Sequence, residues 1–162
     1  MEMPYWYTKS LRWMYRDGRP NRLAAVMNRA GVKASNLGLG PKRSVTLEVR
    51  GRRSGRMTSN PLVVADLNGQ RYLVSMLGNR ADWVANVRAA GNRAVLRHGK
   101  RERIAVSEVP VAERAPILKR YLDQAPGARP HIPVDRRAPL EAFERIAPDY
   151  PVFRIEKRTE QQ

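Results

Sequence analysis

The sequence predicts an α+β domain, mainly β: a small antiparallel barrel of about six strands with peripheral helices. Three observations carry that prediction. Alternation of apolar and polar residues begins at Val45 and returns in later segments, the mark of half-buried strands. Turn signals such as Asn68-Gly69 and Gly99-Lys100 join these segments as hairpins, so neighbours are antiparallel. Stretches with apolar residues at helical spacing lie between and around them. About six antiparallel strands close on themselves to remove exposed edges. A chain of 162 residues holds one such domain with a single core.

Taken in order, the chain opens with Tyr5, Trp6, Tyr7, Trp13 and Tyr15, five of its eleven aromatics. Pro4 suits a first helical turn, and Lys9, Arg12 and Arg16 are interleaved. Two readings follow: an amphipathic segment resting on a membrane surface, or a helix that packs its aromatics on the barrel or covers a pocket mouth. The second is the expectation. Asp17-Gly18-Arg19-Pro20 is a turn. Leu23, Val26, Met27 and Ala30 then share one face of a helix that Gly31 is placed to end. Ser35 to Lys42 reads as a linker, so residues 1–43 form an N-terminal helical segment and 44–162 the barrel domain.

Val45, Leu47 and Val49 alternate with polar neighbours in the first barrel strand. Met57 to Ala65 is the second, and Arg71 to Met76 returns from the Asn68-Gly69 turn. Gly78-Asn79 breaks that strand. Trp83, Val87 and Ala90 mark a short helix closed by Gly91, with Asp82 placed to cap it. Arg93 to His98 and Arg101 to Val109 form a further hairpin. Pro110 introduces a helix carrying Ile117, Leu118, Tyr121 and Leu122. The Pro-rich loop "APGARPHIPVDRRAP" precedes a helix with Leu140, Phe143 and Ile146. Val152 to Glu156 is the last strand.

Composition narrows the chemistry. Lys and Arg number 31 against 15 Asp and Glu, a formal charge of +16, which draws in acidic ligands, polyanions or anionic surfaces. The absence of cysteine removes disulfides, thiol nucleophiles and Cys-ligated metals. With two histidines and no His-Glu-x-x-His, no transition-metal site is expected. "LGLGPK" lacks the third glycine of a dinucleotide fingerprint, and "GRRSGRMT" lacks a P-loop lysine. Ser54 has no evident His/Asp partners for nucleophilic catalysis. No recognition helix or RNP-like aromatic cluster suggests specific nucleic-acid binding. No apolar run approaches the ~20 residues that span a bilayer, and no signal peptide is evident. A cytoplasmic location is expected, with membrane-surface contact through the N-terminal aromatics as the alternative.

What remains is the loop "GRRSGRMTSNPLVV". Adjacent Arg52 and Arg53 repel one another unless solvent or an anion compensates them. The order of this loop, the Asn68-Gly69 hairpin, "YLVSMLGN" and "DWVANVRAAG" closely resembles the deazaflavin-dependent nitroreductase family over about Val45 to Val109, with an echo in "YPVFRI". The resemblance implies a split β-barrel fold and coenzyme F420 as cofactor, with FMN the weaker alternative. It gives Arg52, Arg53, Ser54 and Gly55 the acidic tail of the cofactor. It sets Asn60, Pro61, Leu62 and Val63 beside the deazaflavin ring. Met76, Leu77, Gly78, Asn79, Trp83 and Asn86 would complete the cleft. The implied activity is hydride transfer from reduced F420 to a quinone, enone or nitro compound, with His131 or Tyr150 as candidate proton donors. Some family members carry a tyrosine where Val63 stands and a Ser-Lys pair where Met76-Leu77 stand. The more apolar cleft here suits quinones, enones or lipid-like acceptors. A redox cofactor brings the reactive electrons itself, which fits a chain without an evident triad, metal or thiol. A non-catalytic binder of cofactor or fatty acid in the same fold is the alternative.

Overall fold

The computed structural model describes residues 21–158 in full, with the backbone of strands β1 (Tyr15–Arg16) and β2 (Arg19–Pro20), which pair antiparallel. The expected aromatic helix near Pro4 lies outside the described residues. Helix α1 (Arg22–Asn36) follows. The barrel strands are β3 (Ser44–Arg50), β4 (Met57–Leu67), β5 (Gln70–Val74), β6 (Arg93–His98), β7 (Lys100–Glu108) and β8 (Val152–Lys157). Helix α2 (Asp82–Ala89) joins β5 to β6, and α3 (Arg114–Gln124) and α4 (Leu140–Ile146) lie between β7 and β8. The strands close in the order β3-β4-β5-β8-β7-β6, every neighbour antiparallel. The predicted barrel is the observed one.

Period-two alternation builds two cores. Val45, Leu47, Val49, Val64, Leu73, Leu96, Ile104, Phe153 and Ile155 point into the barrel. Their sequence neighbours Ala65, Tyr72, Val74 and Val152 point outward, where Ile117, Leu118, Tyr121, Leu122 and Phe143 of α3 and α4 cover them. Trp83, Val84 and Val87 of α2 belong to the interior core, so this helix stops one mouth of the barrel. Asn68 and Gly69 both take positive φ, 52° and 75°, the backbone that a two-residue hairpin turn requires.

Helix α1 departs from expectation. Gly31 does not end it; the helix runs on to Asn36, and the linker starts correspondingly later. A Cβ on Gly31 would stand 3.9 Å from the Pro61 ring on β4, so the small residue lies where the helix passes the barrel. The buried positions of α1 are Ala24 and Ser35, not the apolar face read from the sequence. Ser35 Oγ donates to the Arg97 carbonyl at 2.7 Å, and Gly99 N–H donates to the Ser35 carbonyl at 2.7 Å. Small and polar residues let the helix sit close to the β3–β6 seam; Leu23, Val26 and Met27 are left exposed.

Further boundaries move. β4 reaches Leu67. β5 stops at Val74 rather than Met76, because Ser75 Oγ donates to the Gly78 carbonyl at 2.7 Å and begins a turn. Asp82 is the first residue of α2 and not its cap; Ala81 holds that position with no side-chain cap. The Pro-rich loop contains a 3-10 turn over Pro126–His131. His98 is half-buried at the end of β6, its Nδ1 2.9 Å from the Ser44 carbonyl, a structural role.

Candidate functional site

The basic turn between β3 and β4 is tightly made. Gly51 N–H donates to the Arg56 carbonyl at 2.8 Å, and Gly55 N–H to the Gly51 carbonyl at 2.9 Å. A Cβ on Gly51 would stand 2.8 Å from Ser54 Oγ and 3.3 Å from the Arg56 carbonyl, so a larger residue would have to displace the Ser54 side chain. Ser54 Oγ accepts from Arg56 N–H at 3.2 Å.

The two adjacent arginines have different surroundings. Arg52 turns toward α2: its Nη1 donates to Asn86 Oδ1 at 2.9 Å, and its Nη2 pairs with Asp82 Oδ1 at 3.1 Å. Its backbone N–H also donates to Asn86 Oδ1, at 3.1 Å. The buried Asn86 amide thus ties the turn to the helix. Arg53 and Arg56 are exposed, and among the described residues their side chains meet no hydrogen-bond or ion-pair partner.

A second cluster forms a cavity of about 450 Å³ lined by Met76, Leu77, Gly78, Asn79, Arg80, His131, Asp149 and Tyr150. It brings six of the sequence candidates together from the end of β5, the Pro-rich loop and the entry to β8. Gly78 is its hinge: φ is +75°, and a Cβ there would stand 2.9 Å from the Asp149 carbonyl. Asn79 Nδ2 donates to the Pro148 carbonyl at 3.2 Å, which fastens the same two segments. Tyr150 OH donates to the His131 carbonyl at 3.2 Å. Burial, and then the charge of Asp149, push the Tyr150 phenol above its ordinary pKa, so it keeps its proton through neutral pH.

The other candidates stand apart from this cavity. Along β4, successive residues face opposite ways: Leu62 packs on the interior core, Val63 on the outer one, and Pro61 lies near Gly31 of α1. Asn60 Nδ2 is 3.4 Å from Thr58 Oγ1. Trp83 is a core residue, its ring 5.7 Å from that of Phe153 and tilted by 56°. The turn and the cavity are nevertheless joined by one element, since Met76 to Arg80 run directly into α2, whose Asp82 and Asn86 hold Arg52.

Four contributors escaped the sequence reading. Arg80 and Asp149 line the cavity as single charged residues on loops, with no pattern to mark them. Asp82 pairs with Arg52 across the fold. Arg114 is buried and donates to the carbonyls of Val109 at 2.9 Å and Ala147 at 3.0 Å, with Glu108 Oε1 at 3.3 Å. It clamps the 147–150 turn that carries Asp149 and Tyr150. Burial lowers its pKa without discharging a guanidinium. A buried arginine in a basic chain has no signature in sequence.

These donors fit a large anionic redox cofactor. Two arginines on a glycine turn, without side-chain partners among the described residues, suit an acidic tail, and Met76 and Leu77 in the cavity suit an apolar ring. Among the described residues no group of His, Asp or Glu could hold a metal.

Solved structures share the fold. One described as a domain-swapped dimer superposes with a TM-score of 0.52 at 17% identity, covering 83% of this chain and 94% of that one. Protein Atu2129 of Agrobacterium tumefaciens str. C58, described as of unknown function, gives 0.53 at 14% identity over 81% of this chain and 55% of its own. An F420-H2 dependent reductase, FDR-A, is 20% identical with a TM-score of 0.47, over 71% of this chain and 95% of that one. No curated protein sequence matches the chain. The family profile described as F420H(2)-dependent quinone reductase matches residues 22–142, well over half the sequence and including both the basic turn and Met76 to Arg80. The chain therefore belongs to the F420H2-dependent quinone reductase family, oxidoreductases that use the deazaflavin coenzyme F420.

Proposed function

We propose that this chain reduces a quinone held at the Met76–Arg80 cavity, with the cofactor's acidic tail on the Arg52–Arg53 turn. The cavity carries the reading: it gathers Met76, Leu77, Gly78, Asn79, His131 and Tyr150 in about 450 Å³, beside the helix that holds the basic turn. When bound, reduced F420 supplies a hydride; with one proton, this converts a quinone to a hydroquinone. Arg53 and Arg56 take up tail charge, and Arg52, already fixed by Asp82 and Asn86, keeps the turn in place. Met76 and Leu77 supply the apolar part of an otherwise polar lining, against which the quinone ring would rest. Tyr150 holds a proton at its phenol oxygen, within reach of the cavity. No acid or base of unusual strength is needed, because orientation alone accounts for several kcal/mol of a barrier.

The test supplies reduced F420, in parallel with reduced FMN and NADPH, and follows oxidation by a panel of quinones, enones and nitro compounds. Oxidation of the deazaflavin alone, fastest with quinones, supports the reading. Tight deazaflavin binding with no turnover on any acceptor would make the chain a carrier, and absence of binding would reject the site.

A further inference from the structure

The side of α1 turned from the barrel is apolar and basic at once. Leu23 is 52% exposed, Val26 60% and Met27 53%, and Leu37 just beyond the helix is 74% exposed. At 100° per residue, Leu23, Val26, Met27 and Ala30 form one stripe, while Arg22, Arg29 and Lys33 form the stripe beside it. From residue 18 to residue 47 there is no Asp or Glu, yet there are six Lys or Arg. Isolated exposed apolar residues are ordinary; a contiguous stripe marks a contact surface.

We propose that this face of α1 docks on an anionic lipid bilayer surface. Three observations favour that occupant. An apolar stripe with a cationic border matches the boundary between acyl chains and acidic headgroups. A second copy of the chain would set the same cations against themselves, because a two-fold contact pairs identical patches and this stretch has no acid to compensate. The helix is also presented rigidly: Asn21 Oδ1 caps its start, accepting from Ala24 N–H at 2.9 Å, and Ser35 pins its end to the β6–β7 turn. The surface lies outside the quinone site, so the inference goes beyond the reductase reading and stands or falls separately.

The experiment is co-sedimentation of the full chain with vesicles free of quinone, made either of phosphatidylcholine alone or with a third phosphatidylglycerol. Two exposed-face variants are compared, Leu23→Gln/Val26→Gln/Met27→Gln and Arg22→Gln/Arg29→Gln/Lys33→Gln. Circular dichroism confirms that both fold, and oxidation of reduced F420 by a water-soluble quinone should match the unaltered chain. The expected result is binding to the anionic vesicles at least tenfold stronger than to neutral ones, and a loss of tenfold or more in each variant. Absence of vesicle binding by the unaltered chain overturns the proposal. So does undiminished binding by the apolar variant, with a loss in Trp6→Ser/Trp13→Ser assigning the contact to the N-terminal aromatics instead. A dimer that the apolar variant converts to monomer would make the face a self-interface.

Discussion

At the scale of single residues, Arg52 gives its guanidinium to Asp82 and Asn86 while Arg53 stays in solvent, so substitutions at the two positions should separate. Arg53→Ala would remove one or two charge-assisted bonds to the proposed acidic tail, each worth ~1.5–3 kcal/mol. Deazaflavin affinity, followed by fluorescence titration, should fall about tenfold or more with an unchanged melting temperature. Arg52→Ala should instead destabilise the fold by about 1–2 kcal/mol, mostly through the Asn86 bond, since exposed ion pairs contribute little. Unaltered cofactor affinity in Arg53→Ala would remove the turn from the site. Gly78 offers a sharper steric test. Alanine at φ +75° costs ~1–2 kcal/mol for the left-handed backbone alone, and its Cβ would press on the Asp149 carbonyl. Gly78→Ala should therefore lose at least ~2 kcal/mol in urea unfolding and raise KM for the quinone. A midpoint within error of the unaltered chain would show that the two segments part easily.

At the scale of elements, each barrel strand was legible from period-two alternation and turn residues, because one face of every strand meets a core. Helix α1 was legible as a helix and misleading as a face. Apolar spacing assumes that large side chains are buried, whereas here the positions that meet the barrel are the small residues Ala24 and Ser35. The candidate site divides in the same way. Its glycines and the Arg-Arg pair stand out in sequence, but Arg80, Asp82, Arg114 and Asp149 act through contacts far apart in the chain. Arg114→Met tests one such contact: freeing the carbonyls of Val109 and Ala147 should cost about 2–4 kcal/mol. The accompanying loss of quinone turnover should exceed any loss of deazaflavin affinity, because Tyr150 sits on the clamped turn. Equal losses in both would argue for general unfolding. A second contact links strands across β8, where Arg71 meets Glu102 at 2.6 and 3.1 Å. That hydrogen bond holds the Glu102 carboxyl below its ordinary 4.5. Its contribution is complete above about pH 4.5 and is lost as pH falls through the lower folded value. Glu102→Gln should flatten the acid limb of the stability profile; an unchanged limb would assign it to other carboxylates.

At the scale of the whole molecule, a charge of +16 exceeds anything the site itself uses. Seven ion pairs among the described residues draw on only five acids, Glu48, Asp82, Glu102, Glu108 and Asp123, so most of the cationic charge is uncompensated. Such a field steers acidic ligands toward the surface before any contact forms, raising association rates by ~10–10³-fold at low ionic strength. Bound contacts would be screened much less, because those proposed for Arg53 and Arg56 would lie well inside a Debye length of about 8 Å at physiological salt. Stopped-flow binding of F420 between low and high salt should therefore show an association rate that falls about tenfold or more and a dissociation rate that moves much less. Arg53→Ala should reverse the pattern, altering dissociation most. Because the charge is scattered, any contact with DNA or RNA should be weak and without sequence preference, and should be gone by ~200 mM salt. A salt-insensitive association rate would mean that the basic surface serves something other than capture of the cofactor. A sequence-selective nucleic-acid complex persisting at that salt would identify what it serves.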